Sequence, residues 1–268
     1  MEEPRFSGHL HGIKKRGGMN VSMMQPGFMP WLGLFELICK SDCFIFLDDF
    51  QFSIQSWDQR NRLFVNKGQV DWFTVPVIRS VSFLASLNQT QINESIPWRV
   101  KMWKRLQQNY SRTNYYNMLS PLVEKWLLTP ATSLAEQNIN FIKMVCILLD
   151  LRRNFLLSSQ HPSGLKRSEK VLELLRWSGA EIYYCAKGSF DYMLSDGVFP
   201  VDDIEVLFQD HRPKPYKQIG SKETFIPFLS VLDALFNVGP ETTMALIING
   251  TTKWMTWDES LQNRIIHS

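Results

Sequence analysis

The segment 23–62 constrains the fold most, because a strand pattern, a turn, a helix pattern and a second strand pattern follow one another within it. Residues 20–24 form a strand-length run, after which Gly27 and Pro30 turn the backbone, since Pro fixes φ and Gly permits positive φ. Apolar residues then recur at helical spacing across 31–38. A strand, a loop and a helix are therefore expected in close succession.

The apolar run 43–47 has the length of a strand and closes on Asp48 and Asp49. Strands of a parallel sheet are buried on both faces, and ligands bind beyond the carboxyl ends of such strands. Gln25, which ends the first strand, and the aspartate pair would lie at the same edge of the sheet. We therefore place the functional site at that edge.

Strand-length apolar runs recur at 153–158, 181–186 and 204–208. A helical segment that ends at Gly179 separates the first two of these runs, and this order indicates a βαβ unit with a right-handed crossover. The prediction is an α/β protein with a mainly parallel, Rossmann-like sheet and flanking helices. Residues 60–77 are expected to form an antiparallel hairpin on the edge of that sheet.

The length of 268 residues suits one α/β domain with an insertion. We expect a flexible leader at 1–18, a single domain at 19–250 and a C-terminal tail at 251–268. Helical spacing predicts a helical insertion at about 98–149 within the domain. No apolar run approaches the roughly 18 residues of a membrane span, and the leader lacks the apolar core of a signal peptide.

Composition narrows the classes of partner. The net charge of +3 is mild, so it permits a phosphate-bearing ligand, and no DNA partner is expected. The 4 cysteines lie in apolar segments without closely spaced Cys/His clusters, which predicts structural thiols, a cytoplasmic location and no metal site. The aromatic content of 13% suits either a crowded core or a pocket with stacking walls.

The runs QPxxxPWLGxFELI, SDxFIFLDDxQF and WxxRNR, followed by WFTVPV, resemble the WbqC-like protein family. The resemblance continues at 166–192, 208–218 and 225–239, and so covers roughly residues 20–240. Members of that family occur in gene clusters for bacterial surface polysaccharides, including O-antigen. The resemblance therefore implies a role in making such glycans.

The reaction we expect from this context is transfer of an acyl or aminoacyl group, for example glycyl, to the amine of a nucleotide-linked amino sugar. The donor would be an activated aminoacyl species or a thioester. One alternative is an ATP-dependent ligase, because an early strand, a loop into a helix and a late Lys-Arg-Ser resemble the HUP-like core of nucleotidylyltransferases and class I synthetases. Residues 25–35 lack the histidines that those enzymes use there. Another alternative is a non-catalytic protein that binds nucleotide-sugars.

The catalytic candidates are Asp49 and His211. Adjacent carboxylates on a strand point to opposite sides, so one of the aspartate pair would face the site as a base and the other would cap a turn. His211 follows the last predicted strand, and its ordinary pKa suits proton transfer near neutrality. The substrate-binding candidates follow predicted strands, open a predicted helix or lie in the family-like segments: Gln25, Asp48, Gln51, Trp57, Asn61, Arg62, Lys166, Arg167, Ser168, Tyr192 and Gln209.

Among these candidates, the basic group Lys166, Arg167 and Ser168 opens a predicted helix. Helix N-termini bind phosphates through free backbone N–H groups, and guanidinium bonds a phosphate in a bidentate manner. The alternative is an ordinary solvated surface. Arg62 has Asn61 and Trp57 as close neighbours, a combination that suits a phosphate or a sugar.

Overall fold

The computed structural model describes residues 18–65, 68–82, 84–219 and 224–267, so residues 1–17 of the predicted leader lie outside the described residues. The strands are β1 (Met19–Met24), β2 (Cys43–Phe46), β3 (Arg60–Val65), β4 (Gln69–Thr74), β5 (Asn154–Leu157), β6 (Ala180–Ala186) and β7 (Glu205–Gln209). The helices are α1 (Leu32–Lys40), α2 (Arg79–Ser82), α3 (Trp98–Tyr110), α4 (Tyr116–Leu128), α5 (Leu134–Leu148), α6 (Arg167–Ser178), α7 (Ser189–Asp196), α8 (Val231–Ile248) and α9 (Trp257–His267).

One parallel sheet of five strands, in the order β5-β2-β1-β6-β7, forms the centre of the fold. Val21 of β1 pairs with Cys43 on one side and with Tyr183 on the other. Counted along the chain among these five strands only, the order is 3-2-1-4-5, which is Rossmann-like. The predicted α/β class and each of the five predicted parallel strands are confirmed.

Strand β2 shows why an unbroken apolar run predicts a strand that is buried on both faces. All of its residues are buried. Phe44 and Phe46 join a core with α1, α3, α4, α5 and α8, whereas Cys43 and Ile45 join a core with α6, α7 and α9. Successive side chains of a strand point to opposite faces, so a strand covered on both faces needs apolar residues at every position.

The predicted βαβ unit consists of β5, α6 and β6. Gly179 ends α6 in the left-handed region, at φ +72°, and donates its N–H to the carbonyl of Arg176. Because β2 and β1 lie between β5 and β6, helix α6 carries the chain across the sheet. Its N-terminus and that of α7 consequently lie beside the carboxyl ends of β1 and β6.

The hairpin of β3 and β4 is a separate two-stranded sheet, so the prediction that it lies on the edge of the main sheet is wrong. Buried polar contacts hold it elsewhere. The side-chain amide of Asn61 donates to the carbonyls of Phe28 at 3.2 Å and Met29 at 2.8 Å. The hydroxyl of Tyr110 accepts the N–H of Phe64 at 3.1 Å. The hairpin therefore packs between the loop after β1 and the helical insertion.

Within the described residues, α8 is the one helix long and apolar enough to cross a membrane by length and composition alone. Its apolar window is 50% buried inside the protein. Gly239, at φ +79°, and Pro240 interrupt the helical geometry. A kinked core helix accounts for these features.

The predicted C-terminal tail contains helix α9 and packs onto the sheet. Phe208 of β7 and Met255 exchange backbone hydrogen bonds of 2.8 and 2.9 Å. The ring of Trp257 lies 5.1 Å from that of Phe190 and 5.9 Å from that of Phe208. The last residues thus complete the core on the α6–α7 side of the sheet.

Glu36 of α1 joins three parts of the chain through one buried carboxylate. It accepts hydrogen bonds from Gln209 at 2.7 Å and from the N–H and hydroxyl of Thr251 at 2.7 and 2.6 Å, and it lies 2.8 Å from Nδ1 of His211. Burial alone would raise the pKa of Glu36, but the hydrogen bonds from His211 and Thr251 outweigh burial and lower the pKa below 4.5. This carboxylate therefore stabilises the fold in its ionised form.

Replacing Glu36 with Gln should lower the free energy of unfolding by about 2–4 kcal/mol at neutral pH. The side-chain N–H₂ of the new Gln would face the donors of Gln209 and Thr251, which would then lack an acceptor. Since the folded pKa is lowered, the stabilisation is present above pH 4.5 and is lost as the pH falls through the folded value. Urea unfolding at several pH values measures this difference. Exposed Glu241→Gln is the control, and an equal loss in both variants would contradict the role of Glu36.

Candidate functional site

A largely apolar cavity of about 880 Å³ opens at the carboxyl edge of the parallel sheet. It lies beside β1 and β6, where the strand order reverses, and this is the position at which open α/β sheets bind ligands. The volume falls in the range of small-molecule sites. The lining comes from the end of β1 and the loop after it, α1, the segment between β2 and β3, β3, β6, the starts of α6 and α7, and Phe228.

Two buried amides fix the loops around this cavity. Asn138 of α5 donates to the carbonyl of Pro26 at 2.7 Å and to that of Asp58 at 2.8 Å. Asn61 of β3 binds the next carbonyls of the first loop, those of Phe28 and Met29. The helical insertion and the hairpin therefore hold the loop after β1 and the loop before β3 against each other.

Asp58 is the carboxylate of the cavity wall, and it is only 7% exposed. The hydroxyl of Ser56 donates to it at 2.9 Å. Burial raises the pKa of Asp58 from 3.8 to about 6, and the Ser56 hydrogen bond offsets only part of that effect. A carboxylate with this pKa can take up and release a proton close to neutral pH.

Arg62 lines the same cavity, and its side chain is partly buried. Its Nε atom is buried and has no hydrogen-bond partner among the described residues. The arginine ion pairs of the described chain do not include Arg62. Its guanidinium instead lies 5.9 Å from the ring of Trp57 and 6.0 Å from that of Trp72. A guanidinium placed in this way can bind an anionic ligand.

Aromatic side chains form much of the cavity mouth. The ring of Trp31 lies 5.1 Å from that of Phe228, while Trp57 is 53% and Phe228 45% exposed. Rings held open to solvent offer stacking faces for a sugar or a base. Phe228 also has a positive φ of 60°, an unfavourable conformation of the kind that is common at binding sites.

The cavity gathers six of the predicted site residues: Gln25, Trp57, Asn61, Arg62, Arg167 and Tyr192. Gln25 donates to the backbone carbonyl of Gln51 at 3.1 Å, so Gln51 supports the wall while its own side chain is exposed. Burial raises the pKa of Tyr192, which keeps its hydroxyl protonated.

Asp48 and Asp49 follow β2 as predicted, but neither lines the cavity. Asp48 accepts hydrogen bonds from Ser159 at 2.6 Å and from Asn88 at 3.3 Å. Asp49 accepts from the hydroxyl of Ser158 and lies 3.7 Å from the buried ammonium of Lys170. Both carboxylates are engaged in joining β2 to the residues after β5.

The predicted basic group at the start of α6 is only partly at the cavity. Lys166 is exposed and does not line it. Ser168 donates to the carboxylate of Asp196 through its hydroxyl at 2.7 Å and its N–H at 3.3 Å. Arg167 pairs with the same carboxylate at 2.8 Å. Asp196 thus occupies the helix N-terminus where a phosphate was expected.

His211 and Gln209 lie behind the cavity wall rather than on it. Gln209 donates to the carbonyl of Gly33 at 2.9 Å and to Glu36. The side chain of His211 is 1% exposed, and its ring packs edge-on against Trp31 at 4.9 Å. His211 therefore supports the aromatic wall through Trp31, while Gln209 bonds α1.

Sequence reasoning missed Asp58 and the wall residues Trp31 and Tyr183. One signal for Asp58 was available, since Asp58 lies inside the family-like run WxxRNR, between the candidates Trp57 and Asn61. Its burial depends on contacts with distant segments, which a local pattern does not contain. No group of three or more potential metal ligands occurs among the residues that the structure describes.

Comparisons with known proteins found one matching family model and one similar protein. A family model described as the WbqC-like protein family matches residues 25–245, a range that includes the cavity lining from Gln25 to Phe228. The uncharacterized protein Rv1507c of Mycobacterium tuberculosis (strain ATCC 25618 / H37Rv) is similar to this chain. The two are 29% identical over 223 residues, which cover 82% of this chain and 94% of that protein. No solved structure matches the chain.

Replacing Asp58 with Asn should stabilise the protein at neutral pH by up to about 3 kcal/mol, because the folded state no longer holds a desolvated charge. Since the folded pKa is raised, ionisation of Asp58 lowers stability as the pH rises from 3.8 through about 6. The stability difference between variant and parent, measured by thermal unfolding, should therefore increase across that pH range. Exposed Asp202→Asn is the control, and a variant less stable than the parent at neutral pH would contradict the assignment.

Proposed function

Because the chain belongs to the WbqC-like protein family, we propose that it acts in the synthesis of O-antigen or a related bacterial surface polysaccharide. The reaction that the site supports best is transfer of an acyl or aminoacyl group, such as glycyl, to the amine of a nucleotide-linked amino sugar. The observation that carries this proposal is Asp58, a buried carboxylate with a pKa of about 6 on the wall of a largely apolar cavity.

The chemistry needs one base and one set of oxyanion donors. The amine nitrogen attacks the carbonyl carbon of a thioester or aminoacyl ester, and the new C–N bond forms as the nitrogen loses a proton. Ionised Asp58 accepts that proton and then returns it to the departing thiolate or alkoxide. Tyr192 lines the cavity with a hydroxyl that burial keeps protonated, and we propose it as a donor to the developing oxyanion.

The residues of the cavity wall indicate how the substrate would bind. The sugar would pack against the aromatic rings of Trp31 and Phe228, with Gln25 and Asn61 as polar neighbours. Arg62 would bind a phosphate of the nucleotide, because its guanidinium has no carboxylate partner among the described residues.

The structure favours Asp58 over the two predicted catalytic residues as the base. Asp49 is bound to Ser158 and Lys170 away from the cavity. The side chain of His211 is enclosed behind Trp31. We retain Arg167 as a secondary contact to the substrate, since it reaches the cavity but is already paired with Asp196.

A second candidate function is an ATP-dependent ligase on this core. The Rossmann-like strand order and a cavity next to the loop after β1 favour it, because nucleotide-binding folds place their ligand there. A cytoplasmic location suits either reaction, and the free thiols of the described chain fit a reducing compartment.

The assay combines nucleotide-linked amino sugars with panels of acyl thioesters and aminoacyl esters, with and without ATP, and detects the amide product by mass spectrometry. We expect product without ATP. Asp58→Asn should lower kcat by roughly 10²–10⁴-fold, the usual contribution of a general base. In the parent, kcat/KM should fall as the pH drops below about 6, where Asp58 becomes protonated.

Asp49→Asn is the matched comparison, because it removes a neighbouring carboxylate that lies off the cavity. A loss of activity in Asp49→Asn with full activity in Asp58→Asn would reject Asp58 as the base. Product that forms only with ATP consumption would support the ligase instead. Nucleotide-sugar binding without product under any condition would indicate a non-catalytic binding protein.

A further inference from the structure

The outer face of the β3–β4 hairpin carries a strip of alternating arginine and tryptophan side chains. Arg60 and Arg62 are two residues apart on β3, so both point to the same face, and Trp72 of β4 pairs directly with Arg62. The guanidinium of Arg60 lies 4.1 Å from the ring of Trp72. That ring lies 5.3 Å from the ring of Trp57.

Both arginines of the strip lack a partner for a buried N–H. The Nε atoms of Arg60 and Arg62 are buried without a hydrogen bond among the described residues. The arginine ion pairs of the described chain include neither residue, although they include nearby Arg105 with Asp71. Two like charges side by side with unsatisfied donors are costly unless an anion joins them.

The strip is continuous with the cavity. Trp57 and Arg62 line the cavity, whereas Arg60 and Trp72 do not. A ligand that enters between Trp57 and Phe228 would therefore extend from the cavity onto the hairpin.

We propose that the strip formed by Trp57, Arg60, Arg62 and Trp72 binds the nucleoside diphosphate portion of the substrate. This inference rests on the proposed function for the sugar in the cavity. Residues two apart on a strand lie about 7 Å apart, so two long guanidinium side chains can converge on two linked phosphates. The exposed face of Trp57 then stacks on the base, and the sugar is directed inward to Asp58.

The strip also fits this ligand better than the start of α6 does. At that helix, the N–H and hydroxyl of Ser168 and the guanidinium of Arg167 are all satisfied by Asp196. At the hairpin, no carboxylate of the described chain pairs with the guanidinium groups. The diphosphate is therefore assigned to the hairpin.

Calorimetric titration with uridine, thymidine, guanosine and adenosine diphosphates, and with inorganic pyrophosphate, tests the assignment. At least one nucleoside diphosphate should bind. Arg60→Gln and Arg62→Gln should each weaken that binding roughly tenfold or more, and should weaken pyrophosphate similarly. Trp57→Leu should weaken the nucleoside diphosphate about fivefold or more but leave pyrophosphate nearly unchanged. Thermal unfolding of each variant checks that the hairpin remains folded.

Arg176→Gln is the control for loss of one positive charge, since Arg176 pairs with Asp203 on another face of the protein. Diphosphate binding that is weakened as much in Arg176→Gln as in the strip variants would overturn the assignment. Unchanged binding in Arg60→Gln and Arg62→Gln would also overturn it, and so would the absence of binding by any of the diphosphates. Strip-dependent binding without amide product under any condition would reject the proposed function alone, whereas acyl transfer without strip-dependent binding would reject this inference alone.

Discussion

One buried amide, that of Asn138, determines how the site is built. It bonds the carbonyl of Pro26, in the loop after β1, and the carbonyl of Asp58, in the loop before the hairpin. Asn138 is itself 0% exposed and belongs to the helical insertion, so packing of that insertion positions both loops. Buried carbonyls without partners are costly, and this requirement fixes the separation of the loops. The cavity between them is therefore a consequence of how the insertion docks.

The site combines two features that lower stability. A carboxylate is held where burial disfavours its charge, and a guanidinium beside the same cavity keeps a buried N–H unpaired. Elsewhere in the described chain, buried charges such as Glu36 and Lys170 have close partners. Arrangements that destabilise the empty protein are common where a ligand supplies the missing contacts. This contrast between Asp58 and Glu36 is the physical argument for function at the cavity.

The sequence was sufficient to predict the parallel sheet, because the patterns that indicate its strands and helix ends are local. Strand β2 requires apolar residues on both faces, and Gly179 marks the end of α6 by its backbone conformation. The place of the hairpin was not predictable, since it depends on Asn61 bonding carbonyls 32 and 33 residues away. Asp58 was missed for the same reason, because its position depends on an amide 80 residues away. Asp48 and Asp49 lie at the predicted edge, yet serines after β5 bind both, which no local pattern indicates.

The most direct test of the central claim is a crystal structure of the protein with a nucleotide-linked amino sugar bound. We predict that the sugar occupies the cavity with its amine within roughly 2.6–3.2 Å of the Asp58 carboxylate, the reach of a general base. A sugar bound outside the cavity, or one whose amine faces away from Asp58, would contradict the account.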